Sequence, residues 1–201
     1  MHPNRAFEWT DLDQILSFVS ERAFAHIFTA TEEGLFVVHA PVVVQDRKIR
    51  FHVSKRNRIA DQVANRRVLI SVSGREGYQS ANWYAAPNQV PTWHYEAVEL
   101  EGDARVLTNV ELATFLDDLS AIMEQRHSPE RPWTRDKMEV GAFEAMTRAI
   151  IGFEVEPANI RGTRKFNQHK SGADLDATIE GQRAAGRGDI IDAIRELSRC
   201  E

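Results

Sequence analysis

Cysteine is nearly absent: the 201 residues contain one, Cys200, at the penultimate position. With no partner for an internal disulfide, the fold must rest on packing, and a reducing, cytoplasmic setting is expected. A thiol one residue from the end is read as a surface group on a frayed terminus, not as a catalytic nucleophile. Long apolar runs are missing as well. None approaches the ~18 residues needed to span a bilayer, so no membrane partner is expected. The opening MHPNRAFEWTDLDQ has no basic-then-apolar leader, and no signal peptide is expected. Also absent are a GxGxxG fingerprint, a P-loop, a nucleophile elbow and zinc-finger spacing. No apolar-glycine turn precedes a basic helix, so major-groove reading by a helix-turn-helix is not expected. There is no internal repeat and no low-complexity linker.

What remains is the composition of a globular chain, 42% hydrophobic and 27% charged, long enough for one domain or one domain with an appendage. The composition shift after Pro157 suggests a main domain over 1–157, with N-terminal and inserted helices, and a polar extension over 158–201 that packs on the barrel or on a dimer partner. Net charge is −5, which argues against non-specific nucleic-acid binding by the whole surface. The charge is uneven, however. DRKIRFHVSKRNRIADQVANRR, residues 46–67, concentrates Arg47, Lys48, Arg50, Lys55, Arg56, Arg58, Arg66 and Arg67 against Asp46 and Asp61. A basic island in an acidic chain suits a specific anion site, and equally a solvated strand-and-helix face.

Periodicity predicts a helix over 10–22, capped by Thr10, with Leu12, Ile15, Leu16 and Val19 on one face. Three strands follow over 25–54, with turns at 33–34 and 45–47. A short helix is predicted over 56–65 and a strand over 68–74. A proline-bearing loop covers 78–91, and one long or bent strand covers 92–107 with a bulge at Gly102. The segment 109–127 is an amphipathic helix carrying Leu112, Phe115, Leu116, Leu119, Ile122 and Met123 on one side. A helix near 138–148, a strand over 149–157, an irregular then helical tail and a closing helix over 189–197 complete the chain. Six or seven locally connected strands with a few helices predict a mainly β or α+β antiparallel barrel with peripheral helices.

Three groups of residues could carry chemistry. His39 and His52 fall on one face of the 35–53 hairpin if its loop has two residues. No third ligand stands at a diagnostic spacing, and His94 and His169 lack HxxxH or HxxE context, so no metal site is assigned. Ser54, Lys55, Arg56, Asn57 and Arg58 stand where a strand hands over to a helix, a place where backbone N–H groups and cations can cradle a phosphate. Trp83, Tyr84, Trp93 and Tyr95 flank the proline loop, with His94 and Glu96 on the alternate face. Such rings can stack on a planar ligand, or pin the loop and fill an interface.

PTWHYEAVELEGDARVL, preceded by SANWY and VHAPV, resembles the PaiB-type proteins, a branch of the FMN-binding split-barrel group regarded as transcriptional regulators. IIGFEVEPANIRGTRKFNQHKSGADLDATIEG is similar to that family's closing segment, with Asn167 and His169 where the family usually has Ser and Asn. FHVSKRNRIADQV also looks like the phosphate-binding run of the pyridoxamine-phosphate oxidases in the wider group. Arg58 falls on its Arg position, and Ile59 replaces its Lys. The resemblance runs from about Phe24 to Gly181. It implies a six-stranded antiparallel split β-barrel, a homodimer with FMN at the subunit interface, a negative transcriptional regulator or flavin-dependent redox protein, and possible contact with DNA. It further implies a phosphate held by Ser54, Lys55, Arg56, Asn57 and Arg58, a pocket floor of His39, Pro41 and His52, and a ring wall of Trp93 and Tyr95. Gln168 and Lys170 would reach the ligand from the tail. If the protein is an enzyme, it is an FMN-dependent oxidoreductase. Haem, held by His39 or His52 as axial ligand, is the alternative cofactor.

Overall fold

The computed structural model describes residues 1–170 and 172–198; Cys200, with the expectation of an exposed terminal thiol, lies outside them. In chain order the elements are β1 (Glu8–Trp9), α1 (Leu12–Arg22), β2 (Phe24–Thr31), β3 (Gly34–Gln45), β4 (Lys48–Ser54), α2 (Ala60–Val63) and β5 (Arg67–Gln79). They continue with β6 (Thr92–Val106), α3 (Asn109–His127), α4 (Ala142–Thr147), β7 (Ile150–Val155), β8 (Asn159–Lys165), α5 (Ala173–Ala184) and α6 (Gly188–Ser198). The sheet order is β1-β8-β6-β5-β2-β3-β4-β7. An additional β6–β7 pairing turns the run β6-β5-β2-β3-β4-β7 back on itself as a ring. This is the six-stranded antiparallel split barrel, with β8 and the two-residue β1 added outside the ring. Contacts divide the chain into two compact units, one of residues 1–15, 73–98 and 161–201, the other of residues 16–72 and 99–160.

The second unit holds most of the barrel strands, with the end of β5 and the start of β6 assigned to the first. Strict alternation sends Phe36, Val38, Ala40 and Val42 of β3 and Ile49, Phe51 and Val53 of β4 inward, all buried. They meet Ile27, Ile70, Leu100, Phe153 and Val155 from the other strands, with the Phe51 and Phe153 rings 5.3 Å apart. The β3–β4 hairpin closes through Asp46 and Arg47, both at positive φ (50° and 62°), the twist that a two-residue hairpin loop needs. That loop fixes the register Gln45↔Lys48 through Val42↔Phe51. Helix α3 begins on a capping box between Thr108 and Glu111 and lays Leu112 and Phe115 over Val43 and Leu107 on the outside of the barrel. β6 runs without interruption through Gly102. The glycine serves close approach, not a bulge: a Cβ there would lie 2.5 Å from the Glu156 carbonyl oxygen.

In the first unit β1 pairs with β8 through Glu8↔Thr163 and Trp9↔Gly162. The Arg164 guanidinium lies 3.3 Å from the centre of the Trp9 ring. Helices α5 and α6 pack around Phe166, Ile190, Ala193 and Ile194. Glu96, 4% exposed, accepts from Arg75, which also bonds Glu196.

Several elements differ from the sequence-based expectations for local reasons. The cap of α1 is Asp11, whose carboxylate accepts from the Gln14 N–H at 3.0 Å, and Thr10 takes no part. The helix expected over 56–65 shrinks to Ala60–Val63. Ser54 Oγ takes the Arg56 N–H at 3.2 Å and Asn57 Oδ1 takes the Ile59 N–H at 3.1 Å, so side chains compete with helical hydrogen bonds. The helix near 138–148 is reduced to Ala142–Thr147, entered through Gly141 at φ 81°. Residues 159–165, expected to be irregular, form β8. Its charged alternation hides a strand that has little apolar surface to announce it.

Candidate functional site

The expected site residues fall in both units. His39, Pro41, His52 and Ser54 to Arg58 belong to the barrel unit, and Trp93, Tyr95, Gln168 and Lys170 belong to the other.

On the barrel, the inward sets of β3 and β4 leave His39, Pro41, His52 and Ser54 pointing outward. His39 and His52 therefore share a face, and it is the outer face of a barrel whose interior is filled. Continuing the Val42↔Phe51 register sets Pro41 opposite His52. His39 is exposed and pairs across strands with His26, the two rings edge-on at 4.6 Å. His52 lies 5.7 Å from Phe115, and burial lowers its pKa below the ordinary histidine value. Its Nδ1 is buried with no hydrogen-bond partner. Such an atom normally costs about 1–3 kcal/mol unless a water or ligand group meets it.

Just beyond the end of β4, Lys55, Arg56 and Arg58 are exposed. The Lys55 N–H is tied to the Ala149 carbonyl at 2.9 Å, so this corner is anchored to the start of β7. Arg58 is held with its guanidinium 4.1 Å from the centre of the Phe36 ring. Ile59 is 1% exposed and belongs to the core, so that position offers nothing to a ligand. Much of the basic island is already neutralised. Arg50 and Lys48 meet Glu154, and Arg67 meets Glu101. Among the described residues Lys55 and Arg56 carry no ion pair. Helix α2 has only four residues and offers little of the N-terminus of a long helix.

The same outer face carries residues that sequence reasoning missed. Phe24, Phe28, Leu35 and Val37 are 52%, 38%, 82% and 45% exposed. Cross-strand pairing gathers them, with Phe24↔Pro41, Phe28↔Val37 and Phe28↔Leu69. The signal was present in AFAHIFTATEEGLFVVHA, where apolar residues occupy both alternate sets, the mark of a strand covered on both sides.

In the first unit Trp93 is half exposed, its indole N–H donates to Glu76, and Tyr78 lies 6.0 Å away ring to ring. Tyr95 is half-buried. His94 is fully buried and stacked on Phe166 at 5.8 Å, with its nitrogens 3.2 Å from the Lys165 carbonyl and 3.1 Å from Gln79 Oε1. Burial, only partly opposed by the Lys165 carbonyl, depresses its pKa to about 4. Gln168 is spent on the backbone: it accepts from the Phe166 N–H at 2.9 Å and donates to the Ala6 carbonyl at 3.0 Å. Lys170 donates to Gln89 at 2.9 Å, and its ammonium lies 5.2 Å from the centre of the Tyr84 ring. Asn167, at one of the positions that depart from the family pattern, is buried and donates to Tyr84 at 3.1 Å and to Thr178 at 3.3 Å. His169, at the other, is exposed and edge-on to Phe7 at 5.1 Å. Among the described residues no cluster of three metal-ligating side chains occurs. No described helix is long and apolar enough to cross a membrane.

Residues 1–159 match the family described as "Putative FMN-binding domain". The chain is 26% identical over 187 residues to the Protease synthase and sporulation protein PAI 2 of Bacillus subtilis, covering 90% of this chain and 88% of that one. Among solved structures it is similar to the FAD and heme binding protein from Mycobacterium smegmatis, with a TM-score of 0.62, 14% identity, and coverage of 87% and 79% of the two chains. It is also similar to the flavocytochrome Anf3 from Azotobacter vinelandii, with a TM-score of 0.57, 17% identity, and coverage of 85% and 73%. At such identities the two structures speak for the fold alone. Ring closure by β6 and β7, the PTWHY block and the match over 1–159 together make this chain a member of the PaiB-type FMN-binding split-barrel family.

Proposed function

We propose that the protein is a cytoplasmic flavoprotein that holds the FMN phosphate with Ser54, Lys55, Arg56, Asn57 and Arg58, on a barrel face it shares with a second copy of itself. The observation that carries the reading is the pair Lys55 and Arg56. They are exposed cations with no ion pair among the described residues, in a chain of net charge −5. They sit at the anchored corner after β4. A phosphate brings up to two negative charges and several strong acceptors, and this donor set suits it. The orphan Nδ1 of His52 lies two residues earlier on the same strand, on the same outward side as the Ser54 hydroxyl. His39 and Pro41 complete that side. When bound, FMN supplies the redox chemistry, and the protein contributes binding, orientation and exclusion of water.

The dimer part of the reading draws on the exposed Phe24, Phe28, Leu35 and Val37. An apolar face of this kind on a small chain is more economically explained by a covering surface than by solvent. Self-association through it follows the two-fold pattern commonest among oligomers. Trp93, Tyr95, Gln168 and Lys170 belong to the other unit, and family likeness alone puts them at the ligand; Gln168 already bonds the Phe166 N–H and the Ala6 carbonyl. A role at DNA would rest on the basic run alone, because the helix that follows has four residues and cannot fill a major groove.

The test is an FMN titration followed by flavin fluorescence and absorption. Wild type should bind one FMN per chain. The Lys55→Ala/Arg56→Ala double variant should weaken binding by about 1.5–3 kcal/mol, the worth of a charge-assisted contact, at unchanged melting temperature. Unchanged affinity would move the phosphate elsewhere. A Soret band in place of flavin bands would replace FMN with haem. Leu35→Asp should give a monomer in sedimentation, and a wild-type protein that is monomeric at high concentration would remove the shared face.

A further inference from the structure

Beside that corner, with Ile150 paired across strands to Ser54, the insertion between β6 and β7 builds a second concavity. Helix α3 supplies Leu116, Asp117 and Ser120, the following loop supplies Trp133 and Met138, α4 supplies Phe143 and Met146, and β7 supplies Ile150. This open concavity has a volume of about 380 Å³. It continues past Trp133 into a neighbouring cleft of about 410 Å³ that shares Asp117 and Ser120. The walls are preformed. The Trp133 N–H donates to Glu124 at 2.7 Å, Lys137 Nζ donates to the Pro132 carbonyl at 2.6 Å, and Arg135 pairs with Asp117 at 3.4 Å while lying 5.0 Å from the centre of the Phe143 ring. Lys137, Arg135 and Asp117 thus each have a partner within the unit. At the same time Trp133 and Met146 are 39% and 66% exposed.

We infer that this pocket is a binding site for a small neutral aromatic molecule carrying one hydrogen-bond donor. The volume lies in the lower part of the range for small-molecule sites, ~300–1,000 Å³. Two aromatic rings and two thioethers make a lining that favours flat, polarisable surface, and the methionines adapt to its outline. A peptide helix or strand would need a longer groove with backbone partners, whereas this concavity is bounded by three segments of one insertion and by the start of β7. Charge decides the rest. Asp117 is matched by Arg135, so neither an anion nor a cation is called for. The Ser120 hydroxyl and the Asp117 carboxylate leave acceptor capacity at one edge for a phenol, aniline or similar donor. The inference does not use the FMN reading and survives its failure.

N-Phenyl-1-naphthylamine, a neutral aromatic amine with one N–H, is a suitable probe because its emission rises in apolar surroundings. The full chain should bind it saturably at one site per chain, with quenching of tryptophan emission. Met146→Glu, at a rim position exposed enough to tolerate the change, should weaken binding at least tenfold without altering the melting temperature or FMN affinity. Trp133→Phe should weaken it by a smaller factor and remove most of the tryptophan quenching. Non-saturable binding, or binding unchanged in Met146→Glu, would overturn the site. Equal affinity for an anionic naphthalene sulfonate would overturn the ligand class, and competitive displacement of the probe by FMN would show that the pocket is not a separate site.

Discussion

Replacing Glu154 by glutamine should separate charge from shape at the barrel wall. Glu154 stands on β7 between two cross-strand neighbours, Arg50 on β4 and Arg105 on β6. It is 5% exposed and accepts from Arg50 Nε at 2.8 Å and from Arg105 Nη2 at 2.8 Å, with Lys48 Nζ at 3.4 Å. Burial alone would raise its pKa, but the hydrogen bonds from Arg105 and Arg50 outweigh burial and hold it below the ordinary glutamate value. Glutamine fills the same volume, so no cavity forms. It turns an N–H₂ toward one guanidinium, removing one charge-assisted bond and weakening the other, each worth about 1.5–3 kcal/mol. Arg105 is half exposed and already shares Glu111, so it recovers most of its loss, whereas Arg50 is mostly buried and does not. The net cost should be about 2 kcal/mol at pH 7, read from urea denaturation. A folded-state pKa below the unfolded one contributes stability above the unfolded value, about 4.3, and loses it as pH falls through the folded value. The wild-type and Glu154→Gln stabilities should therefore converge on acidification below pH 4. A difference that stays constant from pH 7 to pH 3, or one below about 0.5 kcal/mol at pH 7, would refute the reasoning.

Phe115→Ala removes a fully buried ring beneath α3 and should cost about 3–5 kcal/mol by chemical denaturation, while the far-UV spectrum keeps its β character. Gly102→Ala drives a methyl onto the Glu156 carbonyl, backbone against backbone, and should destabilise by about 1–3 kcal/mol in a thermal melt; a neutral result would mean the strands part freely there. His94, depressed to about 4 chiefly by burial, binds fewer protons folded than unfolded between about pH 6.5 and that value. Stability should fall across this window as pH drops, by up to about 3 kcal/mol, and His94→Gln should flatten the slope; an equally steep profile in the variant would assign it to other groups.

The parts of this fold that announced themselves did so through pattern. Strands β2 to β4 could be seen in the alternation of 25–54, and the amphipathic period of 109–127 gave α3 to the residue. The apolar stripe of 189–197 marked α6. What stayed hidden lacked either surface or period. β8 spends its residues on charge, β1 has two residues, and α2 lost its first turns to local bonds from Ser54 and Asn57. The cationic corner after β4 was legible because charge is countable along a chain. The pocket around Trp133 was not, because it joins α3, a loop, α4 and β7, and only folding brings Leu116 beside Phe143 and Ile150. Ile59 shows the reverse: a position that family likeness marks as ligand-binding is claimed here by the core.

Closure of the ring has a consequence for how this protein misbehaves when crowded. Where a ring strand is flanked on both sides its main-chain donors and acceptors are taken, and those stretches give an incoming chain no template for an intermolecular ladder; residues 34–41 of β3 lie outside its ladder to β4, and β1 covers only two residues of β8. Association through the exposed Phe28, Leu35 and Val37 should dissolve on dilution or with mild detergent. Seeds and lag phases, the kinetics of templated growth, should be promoted by conditions that tear β6 from β7.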